Sequence, residues 1–133
     1  HVNQYNEIKK HKSFYNECLN HKKLLKKLLV TLKKQNKKVV GYGASTKGNV
    51  LLQFCGINSK IINSIAEVNK YKFNRYTPGS KIKIVSEKSV KLKKPDYMLV
   101  LPWHFKDYIV KRERDFLKNG GKLIFPLPEI EIV

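Results

Sequence analysis

Acidic residues and arginines are scarce in this sequence. Of 133 residues only 10 are Asp or Glu, against 28 Lys plus Arg, and the arginines are just Arg75, Arg112 and Arg114. The formal net charge is +18. A charge of that size points first to nucleic acid or another anionic surface. The shortage of arginine argues against it, because the guanidinium fork is the preferred group for bidentate contacts with phosphates and bases. Lysines scattered among many Asn and Ile read as compositional bias. No specific nucleic-acid partner is expected, and an anionic small molecule fits the charge at least as well.

Cysteine is limited to Cys18 and Cys55. They fall on two different expected helices and read as two buried free thiols of a cytoplasmic protein, with no disulfide framework. His1, His11, His21 and His104 have no ligand spacing with them, so no metal is expected. Long apolar runs are missing too. The longest, Tyr97 to Pro102, is far too short to span a bilayer. The first residues, His-Val-Asn-Gln, are polar and lack an initiator Met. No secretory leader is expected, and the chain reads as a fragment of a longer protein or a processed product. There is no internal repeat.

Neither Gly nor Pro occurs before Gly41. The segment from about Asn3 to Asn36 therefore reads as one long lead-in helix. Its apolar stripe of Ile8, Tyr15, Cys18, Leu19, Leu25, Leu28, Leu29 and Leu32 is expected to dock on the domain's own sheet. A missing neighbouring domain or a membrane surface is the alternative. Strands then alternate with helices. Lys38 to Tyr42 is a strand, and Ser45 to Phe54 a helix ended by Gly56, with Val50, Leu51, Leu52 and Phe54 on its buried side. Ile61 to Val68 is a second strand, Thr77-Pro78-Gly79 a turn, and Lys81 to Val85 an edge strand. Ser86 caps a short helix, and Asp96 to Leu101 is a buried strand. Phe105 to Lys118 is a helix, Lys122 to Phe125 a strand, and Glu129 to Val133 an alternating strand. This pattern predicts one α/β domain, Rossmann-like over 37–133. Its sheet should be mostly parallel and flanked by helices, with the long helix over 1–36 before it.

The chemistry gathers at two strand ends. Gly41-Tyr42-Gly43-Ala44-Ser45-Thr46-Lys47-Gly48-Asn49 follows a strand and opens a helix, the place for a phosphate-binding turn. Gly41 should permit the turn and Gly43 the close approach of a ligand, with the helix N-terminus facing an anion. The third glycine of a dinucleotide fingerprint is replaced by Thr46, and a glycine comes instead at Gly48. Lys47 can add a point charge on a phosphate, or be one more solvated lysine. Glu67, near the end of the second strand, stands where an acid commonly meets ribose hydroxyls. The second group, Pro102-Trp103-His104, ends the apolar strand on the same sheet edge. Trp103 offers an apolar face, and His104 a donor or proton-transfer group. His104 is the one candidate for a catalytic role, and a plain helix-entry histidine is its alternative.

Gly41-Tyr42-Gly43-Ala44, Lys47-Gly48-Asn49, Tyr76, Pro78-Gly79, Pro95-Asp96-Tyr97, Leu101-Pro102-Trp103-His104, Gly120-Gly121 and Pro126-Leu127-Pro128, in that order, resemble one known domain. It is the C-terminal domain of the sugar C-methyltransferase family, and the likeness runs from about Lys38 to Val133. The resemblance implies a Rossmann-like domain that binds a nucleotide-linked deoxysugar of thymidine diphosphate type. Such proteins carry an N-terminal zinc-binding domain and a central domain that binds S-adenosylmethionine and supplies most catalytic groups. Here there is neither a zinc cysteine cluster nor a second glycine loop, so S-adenosylmethionine is not expected on this chain alone. Substrate contacts are expected at Gly41, Gly43, Ala44, Ser45, Lys47, Gly48, Asn49, Glu67, Pro78, Gly79, Trp103 and His104. The sequence departs from the family at Glu67 (usually Asp), Asn74 (often Gly), Lys83 (usually Pro) and Tyr108 (often Glu). The last three bear on substrate identity, not on fold. A stand-alone Rossmann-like module for another anionic partner is the alternative. A nicotinamide oxidoreductase needs the complete fingerprint and a second catalytic region.

Overall fold

The computed structural model describes residues 2–133, with side chains from Gln4 onward; His1 lies outside the described residues. The lead-in is a single helix, α1 (Val2–Lys34). Asn36 ends it in the left-handed region at φ 61°, and Lys37 N–H returns to Leu32 O at 3.0 Å. This is the motif that satisfies the orphan carbonyls of a helix end. Next come β1 (Val39–Tyr42), α2 (Thr46–Phe54), β2 (Ser64–Glu67), β3 (Lys83–Ser86), α3 (Glu87–Leu92), β4 (Tyr97–Val100), α4 (Lys106–Arg112), α5 (Arg114–Lys118), β5 (Lys122–Phe125) and β6 (Glu131–Ile132). The strands form a six-stranded sheet in the order β3-β2-β1-β4-β5-β6. All neighbours are parallel except the β5–β6 pair. This is the doubly wound Rossmann order, in which the chain reverses direction across the sheet between β1 and β4.

Alternation along the strands feeds two cores. Val39, Ile65, Leu99 and Ile124 face Leu25, Leu29, Leu32, Leu51 and Leu52 from α1 and α2. Val40, Tyr42, Ala66, Met98, Val100, Leu123 and Phe125 face Val90 of α3 and Ile109 of α4. Period-two alternation between two apolar faces is what a sheet covered on both sides requires.

Several sequence expectations are corrected. In α2 the inward positions are Gly48, Leu51 and Leu52, with Cys55 at its C-cap; Leu51 and Leu52 each stand three or four residues from Gly48 and Cys55, which turns Val50 and Phe54 out to 61% and 44% exposure. The second strand starts only at Ser64, because Ile61 and Ile62 close a turn onto Asn58 O. The helix expected over Phe105 to Lys118 is broken. Trp103–Phe105 is a 3₁₀ turn, and Glu113, at φ −98° and ψ 21°, separates α4 from α5. Cys55 is buried as expected, and burial pushes its thiol up; Cys18 is only half-buried. The α1 stripe docks only through its C-terminal half, because the helix extends past the sheet and leaves Ile8 and Tyr15 exposed.

Candidate functional site

The carboxyl ends of β1 and β4 lie side by side. Leu101 N–H donates to Tyr42 O at 3.0 Å, and Gly43 N–H to Ala66 O at 2.8 Å. The ladder thus sets Gly43–Asn49 beside Pro102–His104, at the switch point where open α/β sheets gather ligands. The three glycines divide the work differently from the sequence reading. Gly41 is not in the turn. It sits inside β1 opposite Ile65, where a Cβ would come within 2.7 Å of that side chain. The turn belongs to Gly43, at φ +78° and with Pro102 3.0 Å from where a Cβ would stand. Gly48 lets α2 close on β4, since a Cβ there would meet Leu101 Cβ at 2.5 Å. That is the packing role of a third fingerprint glycine, carried out from a later position.

Ser45 is the N-cap of α2, and its Oγ accepts Gly48 N–H at 3.0 Å. Thr46 and Lys47 stand exposed on the first turn. That end of the helix carries the partial positive charge an anion meets. Glu67 is buried at the end of β2. Its Oε1 accepts Ala44 N–H at 3.0 Å, and its Oε2 accepts Val68 and Asn69 N–H at 2.7 and 3.0 Å. Lys72 Nζ donates to Ala44 O at 2.8 Å and lies 3.8 Å from Glu67 Oε1. Glu67 therefore locks two loops together. Asn49 and the Pro78-Gly79 turn meet along α2. Gln53 Nε2 donates to Pro78 O at 2.6 Å, Ser80 Oγ to Asn49 Oδ1 at 3.3 Å, and Gly79 turns at φ +75° over Gln53. Trp103 is half-buried against both cores. The exposed His104 ring packs edge-on to Trp103 at 6.0 Å and against Phe105 at 4.3 Å.

Sequence reasoning missed a charged cluster behind the loop. Tyr42, between the two glycines, donates its hydroxyl to Glu113 Oε2 at 3.0 Å and accepts from Arg112 Nη1 at 2.5 Å. Arg112 reaches Glu113 at 2.9 Å and Glu87 at 3.0 Å, and Lys91 reaches the same two carboxylates at 2.6 and 2.8 Å. Glu113 is 1% exposed. Burial, with Glu113 beside it, pushes the Tyr42 hydroxyl well above its ordinary range. Burial alone would raise Glu87, but hydrogen bonds from Lys91 and Arg112 outweigh it and hold the carboxyl below its usual value. The available signal was scarcity: Arg112-Glu113-Arg114 sets one of 10 acids between two of three arginines.

A cavity lies elsewhere. About 780 Å³ opens at the opposite, amino-end edge, among Lys33, Lys37, Lys38, Lys60, Lys83 and Lys93. Among the described residues no three His, Cys, Asp or Glu side chains converge as metal ligands, and no helix is long and apolar enough to cross a membrane.

Comparison with known proteins shows a likeness to one family and to a curated relative. The profile of the C-methyltransferase C-terminal domain matches residues 1–128. The C-methyltransferase NovU of Streptomyces niveus is 39% identical over 97 residues, covering 73% of this chain and 23% of that protein. The chain thus spans about a quarter of the length of that curated relative.

Proposed function

Because this chain belongs to the C-methyltransferase C-terminal domain family, we propose that it is the nucleotide-sugar-binding domain of an S-adenosylmethionine-dependent sugar C-methyltransferase of the cytoplasm. Residues 37–133 form the binding unit, and 1–36 the helix that leads into it. One observation carries the reading: the hydrogen bond from Leu101 to Tyr42 sets the α2 N-terminus beside Trp103 and His104 at the switch point. A diphosphate meets the Gly43–Ser45 backbone and the helix end, with Lys47 as point charge and the Asn49 and Pro78-Gly79 corner beside it. Glu67, at the end of β2 beside the loop, stands where an acid meets a ribose hydroxyl. Trp103 supplies an apolar wall, and His104 is the exposed group able to hold or move a proton there.

S-adenosylmethionine supplies the methyl group. The switch-point crevice has one glycine loop and is taken by the sugar nucleotide, so the donor is assigned to another domain and no step of methyl transfer is routed through these residues. The relative's length supports a second wall for the site: NovU is a C-methyltransferase about four times longer than the matched segment.

Calorimetric titration with a thymidine-diphosphate-linked deoxysugar tests the reading. Lys47→Ala should weaken binding by about 1–3 kcal/mol and leave the fold intact. Gly43→Val should abolish it, since a β-branched residue is strained at that φ and its side chain crowds Pro102. Unchanged affinity in both variants contradicts the site.

A further inference from the structure

The strand order places β1 between β2 and β4, so the glycine loop at the end of β1 has one of those strand ends on either side. The two flanks differ in chemistry. On the β2 flank stands Glu67, whose carboxylate faces the backbone N–H groups of Ala44, Val68 and Asn69. On the β4 flank the chain shows a run of rings. Trp103 is half-buried, and the exposed His104 ring packs edge-on to it at 6.0 Å. Phe105 meets His104 at 4.3 Å and is 57% exposed. Tyr108, its neighbour three residues on along α4, is 68% exposed. Neither Phe105 nor Tyr108 belongs to the two cores. Lys106 lies between them in sequence but is turned away, with its Nζ on Glu131 at 2.6 Å and over the Phe125 ring.

We propose that Phe105 and Tyr108, continuing the wall that Trp103 begins, form the sugar subsite and select a deoxygenated sugar over a fully hydroxylated hexose. The inference rests on the proposed nucleotide-sugar reading. A nucleotide sugar is a linear ligand with its diphosphate in the middle. With the diphosphate on the loop after β1, nucleoside and sugar leave over opposite flanks. Neighbouring strands are about 4.8 Å apart, so the two flanks are about 10 Å apart, a span that a diphosphate with a sugar ring at each end covers. The β2 flank offers the acid for ribose hydroxyls. The sugar then lies over the β4 flank. There His104, the exposed group able to hold or move a proton, has a reacting carbon to serve, which a ribose does not offer. A deoxysugar shows C–H or methyl groups where a hexose shows hydroxyls. Aromatic faces cover the former without polar cost, while a hydroxyl pressed against them loses its water and gains no partner. Asp107, exposed on the same turn, leaves an acceptor for a hydroxyl that both sugars share.

Calorimetric titration of the 133-residue chain with three probes tests it. They are thymidine diphosphate, thymidine diphosphate glucose and the 6-deoxy counterpart of that sugar nucleotide. The 6-deoxy form should bind at least about tenfold more tightly than the glucose form, the scale on which an apolar site discriminates against one hydroxyl. Phe105→Ala together with Tyr108→Ala should bring the two sugars within about twofold of each other. Both side chains are mostly in solvent, so the thermal midpoint should not move, and affinity for thymidine diphosphate, which carries no such sugar, should hold. Equal affinity for the two sugars in the wild-type chain, or a preference that survives both substitutions, overturns the proposal, and binding of thymidine diphosphate then leaves the glycine-loop reading intact. A loss of thymidine diphosphate affinity in the variant also overturns it, and assigns the rings to the base. Failure of thymidine diphosphate to bind the wild-type chain defeats the glycine-loop reading itself, and this subsite with it.

Discussion

Glu67 Oε1 accepts the backbone N–H of Ala44 at 3.0 Å, so an acid at the end of β2 holds the glycine loop at the end of β1. Its other oxygen faces two more backbone donors, Val68 and Asn69. Glu67→Gln turns one of those ends into a donor facing donors. It should cost about 1–3 kcal/mol of stability, and Glu67→Ala at least as much. Urea unfolding measures both. A loss below about 0.5 kcal/mol in both variants contradicts the role as a loop lock.

Glu113 carries the heaviest polar load away from the loop. It is 1% exposed and faces Tyr42, Arg112 and Lys91 together. Glu113→Ala leaves those groups without their shared carboxylate and should destabilise by about 3 kcal/mol. Tyr42→Phe removes one hydroxyl, while Arg112 and Lys91 keep both carboxylates, and should cost about 1 kcal/mol. The order of the two unfolding midpoints checks this, and equal losses would refute it.

The same cluster gives stability a pH dependence. Glu87 is held below its ordinary value in the folded chain, because the hydrogen bonds from Lys91 and Arg112 outweigh burial. A carboxyl depressed on folding contributes stability that is fully present above its unfolded pKa and is lost as pH falls through the folded one. The loss should therefore begin below the usual carboxylate value of 4.5. Glu87→Gln should make stability less sensitive to acid in that window, measured as urea midpoints from about pH 6 to about pH 3. A variant as acid-sensitive as the wild-type chain contradicts it.

The order of elements was legible because period-two and three-four spacing report burial directly. Ser45, Ser86 and Gly56 announced helix ends that the structure bears out. The division of labour among Gly41, Gly43 and Gly48 was hidden, since it depends on which neighbours, Ile65, Pro102 or Leu101, stand over each. Val50 and Phe54 were misread because three apolar residues in a row, Val50 to Leu52, with Phe54 two further on, fit two helix faces, and only contact with the sheet selects one. Glu113 was invisible for the same reason. Nothing local distinguishes a buried acid from a solvated one when its partners come from Tyr42 and Lys91, far along the chain.

The sugar nucleotide is proposed to bind at the carboxyl edge of the sheet, although a lysine-lined cavity opens at the amino edge. A chemical-shift titration of the chain with thymidine diphosphate separates the two edges. Saturable shifts confined to residues 41–49, Glu67 and 102–104, lost in Gly43→Val, are the predicted result. Shifts that centre on Lys38, Lys60, Lys83 and Lys93 and survive in Gly43→Val would contradict it.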